Sequence, residues 1–302
     1  MPDAICASRP MEVADPLAPL RAHVEQGLRD LDPGVPDDLG GFGEALRYPL
    51  LAGGKRLRPV LCLATGQALG LDPLELLPTA LALELVHTFS LVHDDLPAMD
   101  DDHLRRGLPT THVRYGEDVA ILVGDALLAA AFQLVAEQQT GPSDRRLAVL
   151  SLLARATGAG GMIGGQYLDV RAPDDVDEQG LERLHRLKTG ALLEASVSCA
   201  VRLAEPERHV ADALGAFAGE LGLLFQIVDD VLDATGSDDS LGKPAGSDER
   251  QGRRTYVSLL GLAGARERAE RCERAARAEL SRVRGETRTL VAVLEQVARR
   301  TR

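Results

Sequence analysis

The sequence contains no tryptophan, and aromatic residues make up only 3% of its 302 positions. Strands favour aromatic and β-branched side chains, whereas leucine and alanine, which recur throughout this chain, favour helices; an all-α fold is expected. Cysteine is scarce as well. Cys6, Cys62, Cys199 and Cys272 are scattered, with no CxxC pair and no zinc spacing, which argues against a disulfide framework or structural zinc and fits a reducing, cytoplasmic setting. Positive charge is in deficit, with 34 Lys and Arg against 46 Asp and Glu, for a formal net charge of -12. A nucleic-acid partner demands a clustered basic surface, so that function class is excluded. The first residues lack the basic and apolar regions of a secretory leader, and no run of about eighteen uninterrupted apolar residues occurs. Neither a signal peptide nor stable membrane insertion is expected.

What the chain does have is apolar content of 45%, enough for a sizeable core. From Leu17 onward, apolar residues recur at helical spacing in blocks separated by LDPGVPDD (31–38), GLDP (70–73), TGPSD (140–144) and RAPDDVD (171–177). These breaks are too short to be domain linkers, and no fixed-period repeat occurs. The expected organisation is a mobile tail over residues 1–16 and a single domain over 17–302. Pro78 suits the first turn of a helix running to Asp95, and a second long helix is expected over 211–236.

The segment SLVHDDLPAMDDDHLRRG, Ser90 to Gly107, puts five aspartates and two arginines directly after an apolar run. Asp37–Asp38, Asp174–Asp175 and Asp238–Asp239 sit among Pro, Gly or Ser and read as solvated loops or caps. Asp94–Asp95 and Asp229–Asp230 instead end apolar helical stretches, where a carboxylate without a positive partner suffers desolvation. Helical spacing puts Gln226, Asp229, Asp230 and Asp233 on one face, and Glu84, His87, Leu91, Asp94 and Asp95 on another. Two such faces meeting across a cavity would repel by roughly 4 kcal/mol per pair at about 4 Å with an effective dielectric of 20. Cations must come between them, and Mg²⁺ matches a set of hard oxygens that shares its ion with a substrate phosphate. Arg105, Arg106, the Lys55, Arg56 and Arg58 of GGKRLRP, and the isolated Lys188 and Lys243 then read as clamps for polyanions such as diphosphates, although any one of them alone reads equally as a surface charge.

HDDLPAMDDDHLRRG and FQIVDDVLD resemble the two aspartate-rich motifs of the trans-isoprenyl diphosphate synthases, the farnesyl and geranylgeranyl diphosphate synthase family. GGKRLRP (53–59), GGQYLD (164–169), HRLKTGAL (185–192) and LGKPAG (241–246) add to the likeness, which spans roughly Leu39 to Leu260. The resemblance implies an isoprenoid synthase fold, a helical bundle around a deep central cavity, as a homodimer. It implies that Asp94, Asp95, Asp100, Asp229, Asp230 and Asp233 bind Mg²⁺, three ions when the allylic diphosphate is present. Arg105, Lys188, Thr189, Gln226 and Lys243 would contact the allylic substrate, Lys55, Arg58, His87 and Arg106 would hold isopentenyl diphosphate, and Arg253 would also bind substrate. Asp94, Asp95, Arg105, Lys188, Asp229 and Lys243 would carry the chemistry. His87, seven residues before Asp94, falls on the same helical face and suits a donor to the second diphosphate better than a metal ligand.

Phe89 lies five residues before Asp94, about 7.5 Å deeper along a helix. An aromatic there, with Ser90 too small to add to it, should close the cavity floor and stop the product at farnesyl diphosphate; a longer geranylgeranyl product is the alternative. The chain departs from the family pattern at His103, where Asp is common, at Pro244, where Thr is frequent, and at Arg253, where Lys is usual. The terminal ARRTR either folds over the isopentenyl diphosphate site or is a disordered basic end. Two rival readings remain. Glu84–His87 and Glu182–His185 have the Glu-x-x-His spacing of di-iron helical bundles, and a non-catalytic synthase subunit would share the fold, though such a subunit would be expected to lose one acidic motif.

Overall fold

A computed structural model describes residues 15–32, 34–171, 177–235 and 254–299. Lys243 and Arg253, Pro244 and the last three residues of ARRTR lie outside the described residues, as do the aspartate pairs at 174–175 and 238–239. The described regular structure is helical throughout, apart from a hairpin of two-residue strands, β1 (Leu104–Arg105) and β2 (Leu108–Pro109), paired antiparallel with Arg105 opposite Leu108. The expected all-α architecture is what the chain adopts.

Two helices organise the rest. α4 (Leu77–Asp94) starts with Pro78 in its first turn, where the missing N–H is no loss, and buries residues on every side. A helix apolar all round belongs in a core, and α4 packs against α1 (Ala18–Asp30), α2 (Phe42–Leu51), α3 (Leu57–Ala68), α6 (Glu117–Gln138) and α10 (Ala191–Ala204). α5 (Thr111–Tyr115) and α7 (Ser143–Thr157) flank α6. The second organiser, α11 (Arg208–Thr235), lies along α12 (Tyr256–Leu280) and also touches α10 and α13 (Arg288–Ala298). α12 opens on a reciprocal cap in which Thr255 and Ser258 each accept the other's backbone N–H.

The described residues begin at Asp15. The Asp15 carboxylate accepts the Leu17 N–H at 3.0 Å and pairs with Arg21 at 2.9 Å, fixing the approach to α1. Arg56, at the start of α3, holds a left-handed φ of 50° and is 2% exposed. Its guanidinium donates to Glu25 Oε1 (2.7 Å), Glu84 Oε1 (2.6 Å) and the Leu50 carbonyl (2.7 Å), tying α1, α4 and α2 to one point. Cys62, Cys199 and Cys272 are free and buried, and burial pushes the Cys199 and Cys272 thiols up to about 12.

Four stretches, Pro73–Asp94, Glu117–Gln138, Ser143–Val170 and Arg208–Thr235, are long and apolar enough to cross a bilayer by length and composition. This differs from the expectation drawn from uninterrupted runs, because scattered polar residues do not pull the mean hydropathy down far. Packing inside the bundle accounts for α4 and α11. It accounts less well for α6, whose most apolar window is 39% buried and which leaves Ile121 and Leu122 exposed.

Between α9 (Glu178–His185) and α10 the helix widens into a π turn, Arg186–Gly190. Such insertions are frequent at functional sites. Glycines hold this turn from both sides: a Cβ on Gly165 of α8 (Met162–Val170) would lie 2.1 Å from the Lys188 nitrogen, and one on Gly222 of α11 would lie 3.1 Å from Gly190 Cα. The second glycine of GGQYLD is therefore a packing requirement of the turn that carries Lys188 and Thr189. Gly165→Ala should push α8 off this turn and lower unfolding stability by about 1–3 kcal/mol. An unchanged urea midpoint would contradict that packing account.

Candidate active site

α4 and α11 bring acidic C-terminal halves to one cavity of about 650 Å³. α4 lines it with His87, Phe89, Ser90 and Asp94, and α11 with Phe225, Gln226 and Asp229. Arg58 of α3, Lys188 and Thr189 of the π turn, and Met162, Ile163, Gln166 and Tyr167 of α8 add to the wall. Charged groups thus share the enclosure with a broad apolar surface.

Only one member of each aspartate pair lines this cavity, because successive helical residues point about 100° apart. Asp95 is 3% exposed and turns instead to Arg105, whose Nε donates to it at 2.9 Å and whose other nitrogen bonds both Asp95 and Asp102. The spacing expectation that Asp94 and Asp95 act from the same face is corrected accordingly, and Arg105 is occupied by carboxylates. Glu84 likewise leaves that face to meet Arg56. Asp230 accepts from Gln226 Nε2 at 2.9 Å and from the Tyr256 N–H at 2.8 Å, so it anchors the start of α12. Asp233 is 6% exposed and, with Asp230, lies off the cavity wall.

The loop after α4 folds back through the Asp100 N–H, which donates to the Asp94 carbonyl at 2.9 Å. Arg106 donates to the Gly53 carbonyl, and burial lowers its pKa. Lys188 Nζ donates to Asp169 Oδ2 at 2.5 Å, while Thr189 Oγ1 donates to Gln226 Oε1 at 3.1 Å. A chain of hydrogen bonds therefore runs from the π turn through Gln226 and Asp230 to α12.

The electrostatics are those of charges short of partners. Burial pushes the Asp94 carboxyl up to about 7, opposed by Lys188 and reinforced by Asp100. Asp94 also ends α4, where the helix dipole is negative. Burial, with Arg58 and Arg106 nearby, holds His87 neutral well below its usual range. Burial likewise brings Arg58 down to about 10, and its Nε has no hydrogen-bond partner. An under-compensated, half-buried carboxyl beside hard oxygen donors fits Mg²⁺, which takes oxygen ligands and readily shares them with phosphates.

Phe89 is 6% exposed and meets His93 edge-on, with centroids 5.3 Å apart, while Ser90 Oγ donates to the His87 carbonyl at 2.8 Å. Lys55 does not join Arg58: it lines a second cavity of about 750 Å³ with Arg21, Gly54, Glu295 and Arg299. Arg299, the first arginine of ARRTR, is thus part of a wall and pairs with Glu295 at 2.9 Å. The di-iron arrangement does not form among the described residues, since Glu84 pairs with Arg56 and Glu182 with Arg186 and Arg268.

The GGQYLD likeness by itself gives Gln166 and Asp169 no role. Gln166 keeps both amide atoms buried without a partner at the cavity wall. The available signal was helical spacing: Met162, Gln166 and Val170 recur every four residues and all line the cavity.

Taken together, a helical bundle whose pocket combines carboxylates, cations and an apolar wall defines a protein built for a ligand with a polyanionic head and a hydrocarbon tail. Residues 41–293 match the family model described as polyprenyl synthetase. A dimethylallyltranstransferase from Fischerella ambigua (strain UTEX 1903) is 43% identical over 292 residues, covering 95% of this chain and 83% of that one. A farnesyl diphosphate synthase from Geobacillus stearothermophilus is 44% identical over 260 residues, covering 85% and 88%. A solved geranyltransferase from Helicobacter pylori, complexed with magnesium and isoprenyl diphosphate, superposes with a TM-score of 0.83 at 29% identity, covering 96% of this chain and 98% of that one. The chain belongs to the polyprenyl synthetase family.

The two members of the second aspartate pair should separate on mutation. Asp230→Ala removes the α12 anchor and is expected to cost about 1–3 kcal/mol of stability. Asp229→Ala should leave the melting curve near wild type; comparable melting losses in both variants would refute this division of labour.

Proposed function

We propose that the chain is a short-chain trans-prenyltransferase that condenses isopentenyl diphosphate with dimethylallyl or geranyl diphosphate to give farnesyl diphosphate. The observation that carries the reading is the shared cavity in which Asp94 and Asp229, with Lys188 and Arg58, accompany the apolar wall of Phe89, Met162, Ile163 and Phe225. Such a cavity suits a diphosphate and a prenyl tail at once.

Asp94, Asp100 and Asp229 are assigned to Mg²⁺, three ions with the allylic diphosphate in place, and Asp233 remains a ligand as the resemblance implies it. The bound ions would supply charge neutralisation for a departing diphosphate. Lys188, Thr189 and Gln226 orient the allylic diphosphate, and Lys188 stabilises the negative charge that grows as its C–O bond breaks. The bond's electron pair leaves with the diphosphate. Arg58 and the neutral His87 donate to isopentenyl diphosphate and hold its alkene against the allylic carbocation, so that a C–C bond forms between them. The proton lost from the new chain passes to the released diphosphate. The apolar wall keeps out water, which would quench the cation. Asp95 and Asp230 act at one remove in this assignment, the first by holding Arg105 and the second by holding the start of α12. Arg106 supports the isopentenyl side; Lys55, Lys243 and Arg253 remain as the resemblance implies them.

A cytoplasmic homodimer completes the reading. The exposed Ile121 and Leu122 of α6 supply an apolar face for a second copy, and light scattering that returned the mass of one chain would overturn that part.

Incubating the protein with Mg²⁺, isopentenyl diphosphate and each allylic diphosphate in turn, followed by chromatography of the dephosphorylated products, should give farnesol as the main species. Phe89→Ala should extend the products by at least one isoprene unit. Geranylgeraniol from the wild type, or an unchanged spectrum in the variant, would remove Phe89 as the floor. No Mg²⁺-dependent product of any length would remove the reading itself.

A further inference from the structure

The hairpin after α4 carries a cluster that this chemistry does not use. We propose that Asp101, His103 and His112 form a second metal site, for a borderline transition ion such as Zn²⁺, Co²⁺ or Ni²⁺, apart from the oxygen-lined cavity. One ligand atom from each lies within 4.8 Å of the others. The backbone builds it. Asp101 takes a left-handed φ of 53°, which splits it from Asp102: Asp102 pairs with Arg105, whereas Asp101 Oδ1 lies 3.6 Å from His103 Nε2. The Thr110 N–H donates to the His103 carbonyl at 3.0 Å, closing the hairpin so that the His103 and His112 rings meet edge-on with centroids 6.0 Å apart.

His112 is oriented from behind. Its Nδ1 lies 3.1 Å from Thr110 Oγ1, and in the tautomer whose Nδ1–H donates to that hydroxyl, Nε2 presents its lone pair, as in metal-ligating histidines generally. Tetrahedral bonds of 2.0–2.1 Å place ligand atoms about 3.3 Å apart. His103 and Asp101 are largely exposed, so side-chain rotation alone supplies the closure, and a fourth position stays open to water. Two imidazoles and one carboxylate suit Zn²⁺, Co²⁺ or Ni²⁺, whereas Mg²⁺ prefers oxygens alone. An ion there would fasten the segment carrying Arg105 and Arg106 to the first turn of α5.

The test is binding, not turnover, so it stands whether or not prenyl transfer is found. The full chain, kept in excess Mg²⁺ to mask the cavity, is titrated with Co²⁺ and followed by its visible d–d absorption. One Mg²⁺-resistant Co²⁺ per chain is expected, with affinity reduced at least about tenfold in His103→Ala and in Asp101→Asn, both of which should melt as wild type. Equal binding by wild type and His103→Ala, or binding that Mg²⁺ fully displaces, overturns the proposal.

Discussion

The structure turns on two half-buried acidic helix ends facing a common space. Asp94 closes α4 and Asp229 lies near the end of α11, and both line the same enclosure. Helix C-termini carry partial negative charge of their own, so Asp94, the last residue of α4, sits where its environment opposes ionisation, and burial pushes its carboxyl up to about 7. Lys188 and Arg58 reduce the imbalance without removing it, and Lys188 is itself shared with Asp169. A site left under-compensated in this way is organised around charge that arrives with the ligand.

The same pressure explains why the pairs divide. A second carboxylate on the cavity wall at each helix would multiply the repulsion, and a rotation of about 100° per residue offers an exit. Asp95 is satisfied by Arg105, and Asp230 by Gln226 and the Tyr256 N–H. Each turned-away aspartate thus becomes part of the frame that holds its neighbour. The hydrogen-bonded path from Thr189 to Gln226 to Asp230 joins the π turn, α11 and α12 into one unit behind the cavity.

Much of this was legible in the chain. Pro78, the apolar runs and the Asp pairs located α4 and α11, and the order of motifs gave the fold and the cavity walls that Asp94, His87, Lys188, Thr189, Gln226 and Asp229 share. Orientation within a motif was not legible. Spacing of i and i+1 on a helix cannot say which carboxylate faces inward, since that depends on where Arg105 and Tyr256 arrive from other elements. Lys55 and Arg58 belong to one motif yet line different cavities, because Arg56 between them redirects the backbone. Gln166, a single amide in an apolar stretch, carries little signal until both its atoms are found buried and unmet.

Arg56 has a consequence of its own. Its backbone adopts a conformation that ordinarily selects glycine, yet the side chain donates to acceptors on three separate helices. Glycine at 56 would relax the local dihedral and leave Glu84 stranded in the interior, and lysine, with one compact head, could not span the same three directions. The position thus sets local ease against global fastening, and the chain is held together where its backbone is least comfortable.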